Sequence, residues 1–170
     1  MVSCRMEKHQ SAILVLHYNK QRQTRECLDS ILAAGYAGEQ VFCYDNGSRP
    51  DVLESLQSDY PAVCHRRSEQ NHGYSGGFNR ACRWVFSSGF DSLLFLTNDT
   101  RIFPDTLGQL LRTASALASG FVAPVIYYQN QPDSIDSAGA YFDSTQGSLH
   151  HSKEVLDSGL LDGPWDYIPG

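Results

Sequence analysis

No apolar run in this chain approaches the ~20 residues needed to cross a bilayer, so nothing in it reads as a transmembrane helix. Met1 to Gln10 carries Arg5, Glu7, Lys8 and His9 without an apolar stretch. No signal peptide is therefore expected there, and residues 1–10 read as a disordered extension. Basic charge is scarce: 13 Lys and Arg stand against 19 Asp and Glu, a formal net charge of −6. That balance excludes a general nucleic-acid binder, which needs a basic footprint to neutralise phosphates, while leaving room for a local basic patch. The five cysteines, Cys4, Cys27, Cys43, Cys64 and Cys82, form no C-x-x-C pair. An odd, scattered set fits reduced cytosolic thiols rather than a disulfide frame or a zinc site. Internal repeats and an interdomain linker are also lacking. The Asn-x-Ser/Thr triplets at Asn46 and Asn98 have no consequence outside a secreted protein.

What is present is enough apolar residue, 41% of 170, to bury the core of one domain. Ser11 to Leu16 reads as a strand covered on both faces. Cys27, Leu28, Ile31 and Leu32 follow at helical spacing before Gly35. Val41 to Tyr44 predicts a second strand, Asp51 to Gln57 a short helix and Ala62 to Arg66 a third strand. Phe78, Ala81, Cys82, Val85 and Phe86 share one helix face ended by Gly89, and Ser92 to Leu96 is the next strand. Leu107 to Ala118 predicts a helix entered after Pro104 and stopped by Gly120, with a strand over Phe121 to Tyr128. The alternation predicts an α/β fold with a mostly parallel sheet and helices on both faces. From Gln129 onward the pattern dissolves into Asp, Ser, Gly and Pro, with short strand-like pieces such as Ala140 to Phe142.

Three apolar strands end in polar clusters: His17-Tyr18-Asn19, Asp45-Asn46-Gly47-Ser48, and Asn98-Asp99-Thr100. Open α/β sheets bind ligands at the carboxyl ends of their strands, so one shared pocket is expected. Asp45 fits either an Asx turn or a carboxylate accepting a nucleobase N–H. Asp99 fits either a turn residue or a ligand for a hard divalent cation beside phosphates. In Asn71-His-Gly-Tyr-Ser-Gly-Gly-Phe-Asn79, glycines just ahead of the third helix fit either a tight loop or a backbone approached by phosphate. That segment is neither a Walker loop nor a G-x-G-x-x-G fingerprint. His150-His151 read as surface residues, Trp84 and Tyr127-Tyr128 as packing, and Arg66-Arg67 as solvated.

Taken in order, Leu16-His-Tyr-Asn19, Tyr44-Asp-Asn-Gly-Ser48, Asn71-x-Gly73-x-x-Gly76-Gly77-x-Asn79 and Leu96-Thr-Asn-Asp-Thr100 resemble the family 2 glycosyltransferases, inverting enzymes that use nucleotide-sugar donors. Ala123-Pro124-Val-Ile-Tyr-Tyr128 and Ile135-Asp-Ser-Ala-Gly139 resemble the rhamnosyltransferase-like branch that builds bacterial surface polysaccharides. The resemblance implies a three-layer GT-A fold over residues 11–170. It implies that His17, Tyr18 and Asn19 line base and ribose, and that Asp45 holds the nucleobase edge within its loop with Asn46 and Ser48. Asn71, Gly73, Gly76, Gly77 and Asn79 would border nucleotide and sugar. Asp99, beside Asn98, would ligate Mn²⁺ or Mg²⁺ on the diphosphate. The implied partners are a dTDP- or UDP-sugar and a glycan or lipid-linked acceptor. The implied place is the cytoplasm, at the inner membrane face.

The chain departs from the family pattern at three places. Thr97 stands where the metal-binding motif has its first acid, leaving Asp99 as its single carboxylate. Phe78 replaces an Asn or Arg common before Asn79. The catalytic base of the family follows a Tyr-x-x-Gly segment like Tyr167-Ile-Pro-Gly170, where this sequence stops. The base and acceptor part is therefore expected to be missing. Asp133, Asp136, Asp143, Asp157, Asp162 and Asp166 do not occupy its position. The competing expectations are a non-catalytic nucleotide-sugar or glycan-binding module and a pyrophosphorylase-like nucleotidyltransferase. The latter wants Arg and Lys in a glycine-rich loop after the first strand, which His17-Tyr18-Asn19-Lys20 does not supply.

Overall fold

The computed structural model describes residues 10–138, 140–143, 145 and 148–151, the backbone alone at 140–143 and 148–151. Two compact units divide the chain, Met1–Asp105 and Thr106–Gly170. In the first, β1 (Ser11–His17), β2 (Val41–Asp45), β3 (Cys64–Arg67) and β4 (Ser92–Thr97) form one sheet in the order β3-β2-β1-β4. Every pairing is parallel. Both β1 and β2 are buried along their whole length. Their near-continuous apolar sequence reflects cover on both faces rather than a half-wet alternation.

Side chains alternate across a strand, so each strand serves two layers. Ala12, Leu14, Leu16, Phe42 and Tyr44 form one core with Phe78, Ala81 and Val85 of α3 (Gly73–Ser87). Ile13, Val15, Val41 and Cys43, all fully buried, point to the other face. That is the side of α1 (Gln21–Ala33), whose Cys27 Sγ meets the Thr97 carbonyl at 3.9 Å. Thr24, Cys27, Leu28 and Ile31 are the buried stripe of α1, and Gly35 leaves it in a left-handed conformation at φ 90°. Helix α2 (Pro50–Asp59) starts on a proline and buries Val52, Leu53 and Leu56. Burying each large aliphatic side chain of these layers stabilises the fold by about 1.5–3 kcal/mol.

Three expectations shift in this unit. Strand β3 begins at Cys64 rather than Ala62, and α3 begins at Gly73. Gly76 and Gly77 therefore lie within the helix instead of before it. Phe86 is half-exposed rather than on the buried face.

The second unit contains α4 (Thr106–Leu117) and two antiparallel hairpins. They pair β5 (Ile126–Tyr128) with β6 (Gln131–Ser137), and β7 (Ala140–Asp143) with β8 (Ser148–His151). The strand expected from Phe121 is confined to Ile126–Tyr128. Pro124 has no amide to enter a ladder, which accounts for the late start. Tyr127 and Tyr128 are exposed rather than packed. Lys153 and Asp157, Asp162 and Asp166 lie outside the described residues, as do Tyr167-Ile-Pro-Gly170 and the side chains of Asp143, His150 and His151.

Candidate functional site

Four parallel strands bring their carboxyl ends to one edge of the sheet. His17 and Asp45 are paired in register there, and Asp45 with Arg67. The His17 ring, expected to line a ligand, is wholly buried, with Nδ1 at 2.6 Å from Thr24 Oγ1. The Thr24 hydroxyl donates to the Lys20 carbonyl at 3.1 Å, which leaves Nδ1–H as donor and Nε2 as an acceptor without a partner among the described residues. Burial pushes the His17 pKa below 6.5 against the pull of Asp45, with a further downward push from His65. The ring is held neutral. It supports the loop above it instead of presenting a surface.

That loop is tied across the sheet edge. Asn19, left-handed at φ 56°, donates its N–H to Ser48 Oγ at 2.8 Å and accepts the Arg49 N–H at 3.1 Å through Oδ1. Tyr18 beside it is 44% exposed and open to a ligand. Asp45 is fully buried, and its Oδ1 accepts the Ser48 N–H at 2.9 Å. Its Oδ2 accepts no hydrogen bond among the described residues and lies 3.6 Å from Arg67 Nε. Arg67 also donates to the Ser48 carbonyl at 2.6 Å. Arg67, expected to be solvated, is exposed, and its guanidinium is also tied to Ser48 and Asp45.

Asn46 holds the next loop. Its Nδ2 donates to Asn71 Oδ1 at 3.0 Å and to the Gly73 carbonyl at 2.9 Å, and its Oδ1 accepts the His72 N–H at 3.1 Å. Asn71 Oδ1 also accepts the Gly73 N–H at 2.7 Å, closing the turn into α3. Two glycines make room for this arrangement. A Cβ at Gly77 would stand 2.8 Å from Asn46 Nδ2, and one at Gly47, φ 84°, would stand 2.5 Å from the Gln70 carbonyl carbon. Asn46 and Ser48 are thus buried supports, while Asn71, Gly73 and Asn79 are exposed.

At the end of β4, Thr97 and Thr100 close a turn through a backbone bond of 3.1 Å and a hydroxyl pair at 3.0 Å. Asn98 turns inward and donates to Thr24 Oγ1 at 3.0 Å, so the turn is fixed on the first turn of α1. Asp99 is left exposed. Among the described residues no group of three or more His, Cys, Asp or Glu could enclose a metal ion. What the edge offers is one outward carboxylate. Sequence reasoning missed Thr24, which joins His17 to Asn98; a polar residue on the apolar stripe of α1 was its visible mark.

The sequence model described as glycosyl transferase family 2 matches residues 12–153, most of the chain. The chain belongs to glycosyl transferase family 2. The structure of TarS 1-349 from S. aureus in complex with UDP is similar at a TM-score of 0.53 and 17% identity, covering 72% of this chain and 43% of that one. The same protein in complex with UDP-GlcNAc gives 0.52 and 17%, over 72% and 41%. At this identity the likeness concerns the fold, and it bears out the GT-A architecture with its mostly parallel central sheet. This family 2 chain spans less than half the length of those structures. No curated protein matches it.

Proposed function

We propose that this family 2 chain carries the donor-binding half of an inverting glycosyltransferase. The full enzyme passes a sugar from a nucleoside-diphosphate sugar to a glycan or lipid-linked acceptor in surface polysaccharide synthesis. One observation carries the reading: the matched chain gathers a buried carboxylate, one oxygen of which accepts no hydrogen bond among the described residues, and an outward carboxylate at the carboxyl edge of one parallel sheet. Asp45 Oδ2 accepts no hydrogen bond among the described residues, with Arg67 Nε 3.6 Å away, and a nucleobase N–H would supply one. Admitting the base requires the surrounding loops to part, since Asp45 is covered. Tyr18 and Asn19 form the wall above it, with His17 beneath. Asn71, Gly73, Gly76, Gly77 and Asn79 carry the backbone that borders ribose, phosphates and sugar, anchored by Asn46.

Asp99 fits one position in the shell of Mg²⁺ or Mn²⁺, an ion that keeps several waters and takes its other oxygens from substrate phosphates. Such an ion would supply charge neutralisation for the departing nucleoside diphosphate. The acceptor hydroxyl needs a carboxylate as proton acceptor, and none is assigned here; Asp133 and Asp136 belong to the second unit. UDP is the first donor base to test, because TarS was solved with UDP and with UDP-GlcNAc; dTDP is the second. No helix among the described residues is long and apolar enough to cross a membrane. We place the enzyme in the cytoplasm, acting at the inner membrane face on its lipid-linked acceptor.

Thermal unfolding against UDP, dTDP, GDP and CDP, with and without Mn²⁺, tests the reading. A nucleotide at a hundredfold its Kd adds about 2.7 kcal/mol to the folded state. A Mn²⁺-dependent rise with one nucleotide, lost in Asp99→Ala, is expected. A rise that survives Asp99→Ala, or none with any nucleotide, refutes it.

A further inference from the structure

The β3 edge of the sheet bears a second concentration of polar groups, remote in kind from the carboxylates above. Arg66 is paired in register with Tyr44, so both face the α3 layer, whereas Asp45 and Arg67 face the opposite layer. On α3, Arg80, Arg83, Trp84 and Ser87 recur at helical spacing and point to the same side. Together these residues line a recess of about 500 Å³, within the size range of small-ligand sites, about 300–1,000 Å³. Arg67 is at its rim with its guanidinium committed to Ser48 and Asp45.

Three guanidinium groups therefore share one recess in a chain of net charge −6. None of Arg66, Arg80 and Arg83 has an ion pair among the described residues. Arg66 is held in place, its Cζ 5.8 Å from the centre of the Trp84 ring. That ring is fixed in turn by an edge contact with Phe42 at 4.9 Å. Like charges gathered without a counter-charge repel one another, and an anion removes that penalty. Planar guanidinium forks grip tetrahedral oxyanions two oxygens at a time. Three of them match the charge and the spread of oxygens of a diphosphate better than a single carboxylate.

We propose that this recess is a second anion site, separate from the donor edge, that takes a diphosphate group. The group comes from a soluble diphosphate or from a lipid whose headgroup is a diphosphate. Calorimetric titration of inorganic pyrophosphate into the chain, with EDTA to remove divalent ions, tests it. Saturable binding is expected, weakened about tenfold or more in Arg80→Gln/Arg83→Gln and partly retained in Arg80→Lys/Arg83→Lys, while the Mn²⁺-dependent nucleotide rise in unfolding temperature persists in the Gln variant. Both side chains are exposed, and an unchanged unfolding midpoint shows that the variant folds. Cosedimentation with vesicles carrying a polyprenyl diphosphate, lost in the Gln variant, without pyrophosphate binding supports the site with a lipid as its source. Pyrophosphate binding that is unchanged in the Gln variant, or lost there together with the nucleotide-dependent rise in unfolding temperature, overturns the proposal, as does binding to neither probe.

Discussion

Replacing Gly77 by alanine should destabilise the protein although alanine is the better helix former. In an exposed helix interior the exchange would gain about 0.5–1 kcal/mol. Here the new methyl would lie 2.8 Å from Asn46 Nδ2, 2.9 Å from its Cγ and 3.1 Å from Leu16 Cδ1. Asn46 cannot retreat without releasing Asn71, His72 and Gly73, which it holds by three hydrogen bonds. Overpacking of this kind costs about 1–3 kcal/mol, and each bond released about 1 kcal/mol more. The net expectation is a loss of about 2 kcal/mol, read from urea unfolding followed by far-UV circular dichroism. Asn46→Ala alone should cost about 2–3 kcal/mol for the same bonds. In the double variant the obstruction is gone. The Gly77→Ala penalty should then vanish or change sign, leaving a coupling of about 2 kcal/mol between the two sites. A Gly77→Ala variant as stable as the parent, or two penalties that simply add, would refute the idea that this glycine exists to seat Asn46.

Gly47→Ala should be worse, about 3 kcal/mol or more, because its φ is 84° and the Cβ meets the backbone of Gln70 and Asn71 rather than a movable side chain; soluble yield and the urea midpoint report it. Asp99→Ala, at an exposed turn, should change stability by no more than about 0.5 kcal/mol, so a lower midpoint in urea would contradict its outward placement. Burial holds both His17 and His65 below their usual 6.5. Below that pH the unfolded chain takes up protons that the folded chain refuses. Stability contributed by these rings is therefore complete above pH ~6.5 and declines as the pH falls toward the depressed values. Urea midpoints at pH 7.5 and 5.5 should show the decline, and His17→Gln should make it shallower. Burial pushes the Cys27 thiol up to about 12 and Cys43 higher still, so at pH 8 mass mapping after alkylation should find both unmodified until the protein is unfolded.

The elements legible in the sequence were those whose cause is local. A continuously apolar Ser11 to Leu16 and a stripe at Cys27, Leu28 and Ile31 allow only a covered strand and a packed helix. The start of α3 was not legible, since Gly73, Gly76 and Gly77 argue against a helix by propensity. Gly77 stands inside one because Asn46, distant in sequence, occupies the space a side chain would fill, and Gly73 opens it at a left-handed φ of 71°. The outward place of Asp99 followed from its position after an apolar strand. The partners of Arg66 and Arg67 did not, because they depend on the register of β3 on β2, which no pattern within Cys64-His-Arg-Arg67 specifies.

That register has a consequence for function. Tyr44 and Asp45 are adjacent in β2 and paired with Arg66 and Arg67 in β3. Adjacent strand residues face opposite layers. One dipeptide pair therefore serves the proposed donor edge with Asp45 and Arg67 and the arginine recess with Tyr44 and Arg66. A one-residue slip of β3 would turn Arg66 toward the buried Asp45 and empty the recess, so both sites depend on a single alignment. They remain separable by substitution, since Arg80 and Arg83 belong to α3 and touch neither Asp45 nor Ser48 by any hydrogen bond or ion pair among the described residues. Variants at those two arginines should lower diphosphate binding and leave the nucleotide-dependent rise in unfolding temperature intact, and a loss of both together would mean that the recess and the donor edge are one site.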